Sequence, residues 1–298
     1  MLEIDLPHIN ADNRLRKVLA AALPNQNGSK NSPNLPATYW DASFFNLPQV
    51  KIFQEASTAE QLAMVEIANR SLLEEAYFIE KAGVGYMAKM VLLAETIEER
   101  MLYGLFTADE TIHLSHLSYF CPESELTNSQ DPFLSLLAEV IEDADKTVLL
   151  FVLQVVLEGW GLSHYRRLAK ECHHQPLAEV FRSFLQAEAR HHSTGNILFH
   201  QISLSPSSRG NIIDLLSRFL LMVQVGPQNV LGAIEQVKGH LSRKQKIQIL
   251  QELDTENHSR TRLDLLRSLM VGDSVQSIVE SLENRGAFQP LPAHQCVF

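Results

Sequence analysis

The sequence predicts an all-α fold, and three observations carry that prediction. Leu, Ala, Glu and Gln recur at helical spacing through most of the 298 residues. No run of alternating β-branched residues marks a strand. The 13 glycines and 12 prolines gather at a few breaks. Hydrophobic residues make up 45% and charged residues 20%, enough for a sizeable core and too apolar for wholesale disorder.

A first helix is expected from about Asn10 to Leu23, followed by a polar loop from Pro24 to Pro36 that carries Asn25, Asn27, Asn31 and Asn34. Tyr39, Trp40, Phe44 and Phe45 are too apolar for a free linker and are expected to lie across the main domain. Ser57-Thr58-Ala59-Glu60 is a capping box, in which each side chain satisfies a free backbone N–H, and the helix it opens runs to about Leu92. Thr96-Ile97-Glu98-Glu99 repeats the pattern and opens a second helix to about Phe120. After a polar segment from Cys121 to Asp131, Asp131-Pro132 supplies an N-cap with proline at the first helical position. A short helix to Asp143 and a long one from about Asp145 to Lys170 follow. The chain breaks from Glu171 to Pro176, and a further helix reaches about His200. Four more helices are expected over residues 209–286, separated at Gly226-Pro227, Gly239 to Ser242 and Gly272-Asp273. The organisation is thus an N-terminal helix, loop and aromatic arm (1–56), a four-helix unit (57–204) and a C-terminal helical extension packed on it (205–298).

With 35 acidic against 25 basic residues, the net charge of −10 argues against nucleic-acid or anionic-membrane partners, since nothing would displace the counterions. Cys121, Cys172 and Cys296 lie far apart and form no CxxC pair, which excludes zinc-ribbon, rubredoxin and thioredoxin sites and fits a reducing cytoplasm. MLEIDLPHIN shows no secretory signal pattern. The most apolar stretch, Thr147 to Leu157, falls short of the ~20 residues a bilayer span needs. These features predict a cytoplasmic protein.

The chemistry signal is Glu-x-x-His, present as Glu110/His113, Glu171/His174 and Glu188/His191. Residues three apart share a helix face, so each pair can offer a carboxylate and an imidazole to one metal. A lone copy is expected from composition, so position in the fold has to separate signal from chance. In two antiparallel helices joined by a tight turn, residues equidistant from the turn are level. Glu158 and Glu188 are equidistant from His173, in the Glu171–Pro176 break. Glu75 and Glu110 are equidistant from the region of Leu92 and Leu93, just before the Thr96 cap. At ~1.5 Å per residue these carboxylates sit roughly 20 Å from their turns, deep in a bundle. Glu171 and His174 fall in the turn itself and are decoys. Glu74 and Glu80 compete with Glu75 for the first-helix position, Glu80 with an apolar face of Leu73, Ala76, Val84 and Met87. The other carboxylates lie on apolar stripes, where an unpaired charge costs several kcal/mol and a partner or a metal is required. Asp109 precedes Glu110 and is placed to hold the His191 ring, while Ala187 occupies the matching position before Glu188. His192 is a fallback ligand.

Residues 121–144 are too long for a tight turn and suit a crossover that lets the second and third helices run parallel. Glu, then Glu-x-x-His, then Glu, then Glu-x-x-His on four successive helices resembles the ferritin-like di-iron carboxylate superfamily. That superfamily includes the ribonucleotide reductase small subunit, acyl-carrier-protein desaturases, arylamine N-oxygenases and aldehyde-deformylating oxygenase. The resemblance covers about residues 57–200. It implies Glu75, Glu110, His113, Glu158, Glu188 and His191 as ligands, with Glu110 and Glu158 or Glu188 bridging two iron ions, or Mn and Fe.

The resemblance further implies an O2-activating di-iron oxygenase or oxidase acting on a small organic molecule. Phe78, Phe106, Thr107, Tyr165, Phe181 and Phe184 project toward the carboxylate level and suggest a mainly apolar or aromatic substrate pocket, with Thr107 the hydroxyl placed for proton delivery. Without a flavin, rubredoxin or iron–sulfur signature, electrons would come from a separate ferredoxin or reductase; a homodimer is compatible. A ferroxidase or metal-binding protein without an organic substrate is one alternative, favoured by a narrow polar channel. A haem-oxygenase-like di-iron oxidase is another, disfavoured by the repeated Glu-x-x-His.

Overall fold

A computed structural model describes residues 6, 8–10, 12–23, 35–121, 126 and 131–297, and among these every regular element is helical. Most of the two expected polar loops, Pro24–Pro36 and Cys121–Asp131, lies outside the described residues. The elements are α1 (Arg14–Ala22), α2 (Lys51–Gln54), α3 (Thr58–Leu93), α4 (Ile97–Phe120), α5 (Pro132–Asp143), α6 (Lys146–Leu149), a π-helical segment (Leu150–Leu157), α7 (Glu158–Glu171), α8 (Gln175–Phe199), α9 (Pro206–Gln224), α10 (Gln228–Lys238), α11 (Arg243–Glu252), α12 (Thr255–Leu269) and α13 (Gln276–Asn284).

Ser57 and Glu60 form the expected capping box at the start of α3. Thr96 caps α4 through the Glu99 N–H at 3.1 Å, but the Glu99 carboxylate reaches back to Glu95 and pairs with Lys146 at 2.7 Å, tying the start of α4 to the start of α6. Asp131 caps α5 with Pro132 behind it. α6, the π segment and α7 form one continuous helix, Lys146–Glu171. By length and composition it could cross a membrane, yet just over half of its apolar window, 56%, is buried inside the molecule, as befits a core helix.

α3 pairs with α4 and α7 with α8 as two hairpins, and α4 packs on α8. Contacts run from Phe106 to His191 and from His113 to Phe184, so α4 and α8 are antiparallel. α4 therefore runs parallel to α7, and α5, packed along α3, is the crossover between the hairpins.

The buried apolar side chains form two clusters. Ala82, Tyr86, Tyr103, Phe106, Val156 and Phe199 belong to one; Ala76, Tyr77, Leu117, Tyr165, Phe181 and Phe184 belong to the other. On each of α3, α4, α7 and α8 the change from one cluster to the other brackets the same few residues: Glu80; Glu110 and His113; Glu158; Glu188 and His191. A polar layer thus divides the core at one level.

The aromatic arm lies across the bundle, as its composition predicts. Asn69 Oδ1 accepts the backbone N–H groups of Tyr39 and Trp40 at 2.7 and 2.9 Å, and Trp40 Nε1 donates to the Leu168 carbonyl at 3.0 Å. The C-terminal extension contains five helices where the breaks predicted four. The extra boundary falls at Asp254, which takes the left-handed conformation (φ 53°) without a glycine or proline to mark it.

Candidate metal centre

α3, α4, α7 and α8 deliver four carboxylates and two imidazoles to the polar layer. Glu80, Glu110, His113 and Glu188 form one group whose donor atoms lie within 4.8 Å of one another, and Glu158, Glu188 and His191 form a second. His113 Nδ1 lies 3.1 Å from Glu80 Oε2, 3.4 Å from Glu188 Oε1 and 3.9 Å from Glu110 Oε2. His191 Nδ1 lies 3.1 Å from Glu110 Oε1 and 3.9 Å from Glu188 Oε2. Glu110 and Glu188 therefore each turn one oxygen toward each imidazole. Glu188 belongs to both groups, and Glu110, a member of the first, also reaches the imidazole of the second.

The donor set fits metal better than mutual hydrogen bonding. His191 Nδ1 and Glu158 Oε2 are buried and make no hydrogen bond among the described residues, though each points at other ligand atoms. Buried polar atoms are rarely left this way, and a cation between them could be the partner they lack. All-oxygen and imidazole ligation suits iron or manganese.

The titration behaviour tells the same story. Burial, with the charges of Glu80 and Glu188, drives Glu110 well above the carboxylate range, and burial does the same to Glu158. Burial would also raise Glu80, but the His113 hydrogen bond and charge hold it below its ordinary value. Burial works against a charged His113, yet hydrogen bonds to Glu188 and Glu80 push it up to about 11. His191 is raised in the same way against burial, chiefly by its Asp109 hydrogen bond. The layer holds protons where bound cations would place positive charge, so metal binding there must release protons.

The surroundings fix the donors. Asp109 Oδ2 lies 3.3 Å from His191 Nε2 and 3.1 Å from an Arg190 nitrogen, so the carboxylate grips the ring nitrogen facing away from the ligands. The Tyr165 hydroxyl donates to Glu80 Oε1. Phe184 stacks on His113 with centroids 4.0 Å apart, and Phe106 packs on His191 at 4.3 Å. In the π segment, Gln154 Oε1 accepts the hydroxyls of Tyr86 and Tyr103 at 2.8 Å each, and its Nε2 donates to the His191 carbonyl at 2.8 Å. Its backbone carbonyl lies 3.1 Å from His192 Nδ1, which occupies that imidazole away from the cluster. Gly83 faces Glu110 so closely that a Cβ there would stand 2.5 Å from Oε2.

Of the six expected ligands, Glu110, His113, Glu158, Glu188 and His191 come together and Glu75 does not. The correction is Glu80 for Glu75. α3 ends at Leu93 and α4 begins at Ile97, so the turn centres on Glu95, and Glu80 is the residue level with Glu110. The decoys stay in the turn: Glu171 pairs with Arg167 at 3.2 Å, and His174 packs edge-on to Tyr39 and Phe120.

A pocket of about 730 Å³, open solvent at its mouth included, runs along the polar layer between α3, α5 and α7, and Glu80, Glu110, Glu158 and Glu188 line it. The expected pocket residues need correction too. Tyr165 lines this space, but Phe106 and Phe184 are packed on the imidazoles, Phe181 lies between Trp40 and Tyr165, and Phe78 sits edge-on to Tyr77. Thr107 Oγ1 donates to the Tyr103 carbonyl at 2.8 Å, which engages its proton in the helix. The apolar wall comes instead from Phe133, Leu137 and Ile141 of α5, Leu153 and Leu157 of the π segment, and Trp160. Sequence spacing shows which side chains reach the layer but not on which side of it space is left over. No family model, curated protein or solved structure matches this chain.

Proposed function

We propose that this chain is an O2-dependent di-iron oxidoreductase of ferritin-like architecture, acting on a small, mainly apolar organic molecule. The observation that carries the reading is the apolar pocket that opens directly onto the carboxylates. A site built to oxidise and pass on iron needs a polar path. Here Phe133, Leu137, Ile141, Leu153, Leu157 and Trp160 offer an apolar wall for an organic substrate.

Glu80 with His113 and Glu158 with His191 would hold one ion each, and Glu110 and Glu188 would be shared. Bound iron, or a manganese–iron pair, supplies the reduction of dioxygen and the oxidising power. The protein's own part lies in its side chains. Asp109 holds the His191 ring and keeps its ligating nitrogen aimed at the cluster. Tyr165 orients Glu80 and holds a proton at its hydroxyl on the pocket wall. The phenylalanines over the two imidazoles exclude water from the far side. Electrons would come from a separate ferredoxin or reductase.

The test combines metal analysis, mass spectrometry of co-purified ligand and oxygen uptake after anaerobic loading with Fe(II). The expected result is about two equivalents of metal per chain and reductant-dependent oxygen uptake that rises with an organic substrate. Continued accumulation of ferric iron far beyond site stoichiometry would overturn the reading in favour of a ferroxidase.

A further inference from the structure

The pocket beside the carboxylate layer has two unlike ends. Its wall runs from Glu75 to Tyr86 on α3 and, opposite, from His164 back to Leu153, each stretch about 16 Å of helix. At the Tyr86 end the lining is Ile141 and Leu153, and the one hydroxyl there is already given to Gln154 at 2.8 Å. Lys89 donates to the Ile141 and Glu142 carbonyls at 2.7 and 3.0 Å just beyond, fastening the end of α5 to α3.

The other end is polar and half-buried. Glu75 and His164 both line it, and among the described residues neither makes a hydrogen bond or an ion pair. The His164 ring stacks on Trp160 with centroids 5.8 Å apart, which holds its plane at the pocket wall. Arg262 of α12 acts on both groups through its charge but pairs with neither, and Asp131 adds negative charge near Glu75. A carboxylate held partly out of water is costly without a hydrogen-bonded partner; Arg262 reaches it only through its charge, so a charged donor within hydrogen-bond reach is what the site lacks. His164, kept neutral by burial and by neighbouring arginines, offers an acceptor nitrogen to the same donor.

We infer that the pocket takes an amphiphilic amine, its amino head held between the Glu75 carboxylate and the His164 ring and its apolar tail lying against Leu137, Ile141 and Leu153. This substrate class rests on the function proposed above. Glu80 and Glu158 lie five and six residues inward from Glu75 and His164. The stretch of tail that faces the carboxylate layer is therefore about 7–9 Å from the head, and the amine itself is remote from the metals.

The experiment is calorimetric titration of the full chain, iron-loaded and anaerobic, with decylamine, decanol and decanoate, iron content being measured on the same samples. Decylamine is expected to bind at one site about tenfold or more tighter than decanol or decanoate, the difference one hydrogen-bonded charge pair makes. Glu75→Gln is expected to remove that preference while leaving iron content and decanol binding as in the wild type. His164→Phe, which tests the same pocket independently should the first variant misfold, is expected to weaken decylamine selectively. Tightest binding of decanoate, equal binding of amine and alcohol, or no saturable binding would overturn the amine assignment. So would loss of iron in Glu75→Gln, because Glu75 would then be a ligand. Wild-type iron stoichiometry reports separately on the di-metal reading. Two equivalents of iron with no amine preference defeats the head-group assignment alone.

Discussion

Gly83→Ala separates the needs of the fold from those of the metal site. The added Cβ would stand 2.5 Å from Glu110 Oε2, 2.9 Å from Cδ and 3.3 Å from Cγ. To reach the 3.0–3.4 Å of a tight but tolerated contact, the carboxylate oxygen must retreat by about 0.5–0.9 Å. The fold has the means to absorb this, because the obstacle is the far end of a side chain and alanine favours helix over glycine by about 1 kcal/mol. Overpacking costs about 1–3 kcal/mol, so the net change in metal-free stability is a loss of at most about 2 kcal/mol. The metal site has no such slack. Glu110 turns one oxygen toward each imidazole, and a displaced shared carboxylate disturbs both centres. An affinity loss of about 10–100-fold is expected, as for residues that orient ligands. Metal equivalents after dialysis against a graded chelator, alongside thermal unfolding of the metal-free variant, read the two effects apart. Unchanged metal affinity in a folded Gly83→Ala protein would refute the placement of Glu110 as a ligand.

Further outcomes follow from the same geometry. Changing Glu110 and Glu188 together to Ala should abolish metal binding, while Glu171→Ala should leave metal content unchanged; elemental analysis of both decides whether the turn pair is a decoy. Asp109→Asn should keep the fold and lower metal affinity or turnover about 10–100-fold, and full occupancy with full activity would count against its hold on His191. Gln154→Leu strands two buried hydroxyls and the His191 carbonyl, so denaturant unfolding should show a loss of about 2–4 kcal/mol. Glu75 and His164 should give opposite pH profiles of stability. Burial and Arg262 depress His164 from 6.5 to about 4, so its contribution is whole above pH 6.5 and lost as pH falls to about 4. Burial raises Glu75 from 4.5 to about 7, so its contribution is whole below pH 4.5 and lost as pH rises to about 7. Each amounts to at most about 3 kcal/mol, and they offset one another in the wild type. Melting temperatures of Glu75→Gln should therefore decline toward acid and those of His164→Gln toward neutrality; parallel curves for all three proteins would contradict the shifts.

The helices around the site were legible because their ends are written in local chemistry: Ser57 with Glu60, Thr96, and Asp131 before Pro132. Once those ends are known, level positions follow from counting, which is how Glu110, Glu158 and Glu188 could be set at one depth. The same counting favoured Glu75 over its competitor Glu80 because the turn was centred two to three residues too early, which moves the level position by five residues and to another helix face. The π segment was not legible. Residues 150–157 are apolar apart from Gln154 and buried apart from Leu157, so no periodicity distinguishes one winding from another. The cavity was not legible either, since it depends on how α5 lies along α3 and not on the side chains nearest the metal ligands.

The position of the polar layer between two apolar clusters bears on how the molecule comes apart. Contiguous apolar packing makes a core unfold as one body, and a sheet of carboxylates across it is a seam of low cooperativity. With no cation in place, the seam is where the helices breathe first, and backbone amides near Glu80, Glu110 and Glu188 should exchange with solvent sooner than those of the flanking apolar turns. Two multivalent ions gripped from both sides would reverse that order and turn the seam into the last region to open. Metal occupancy, by this logic, decides whether the two halves of the bundle fluctuate separately or as one.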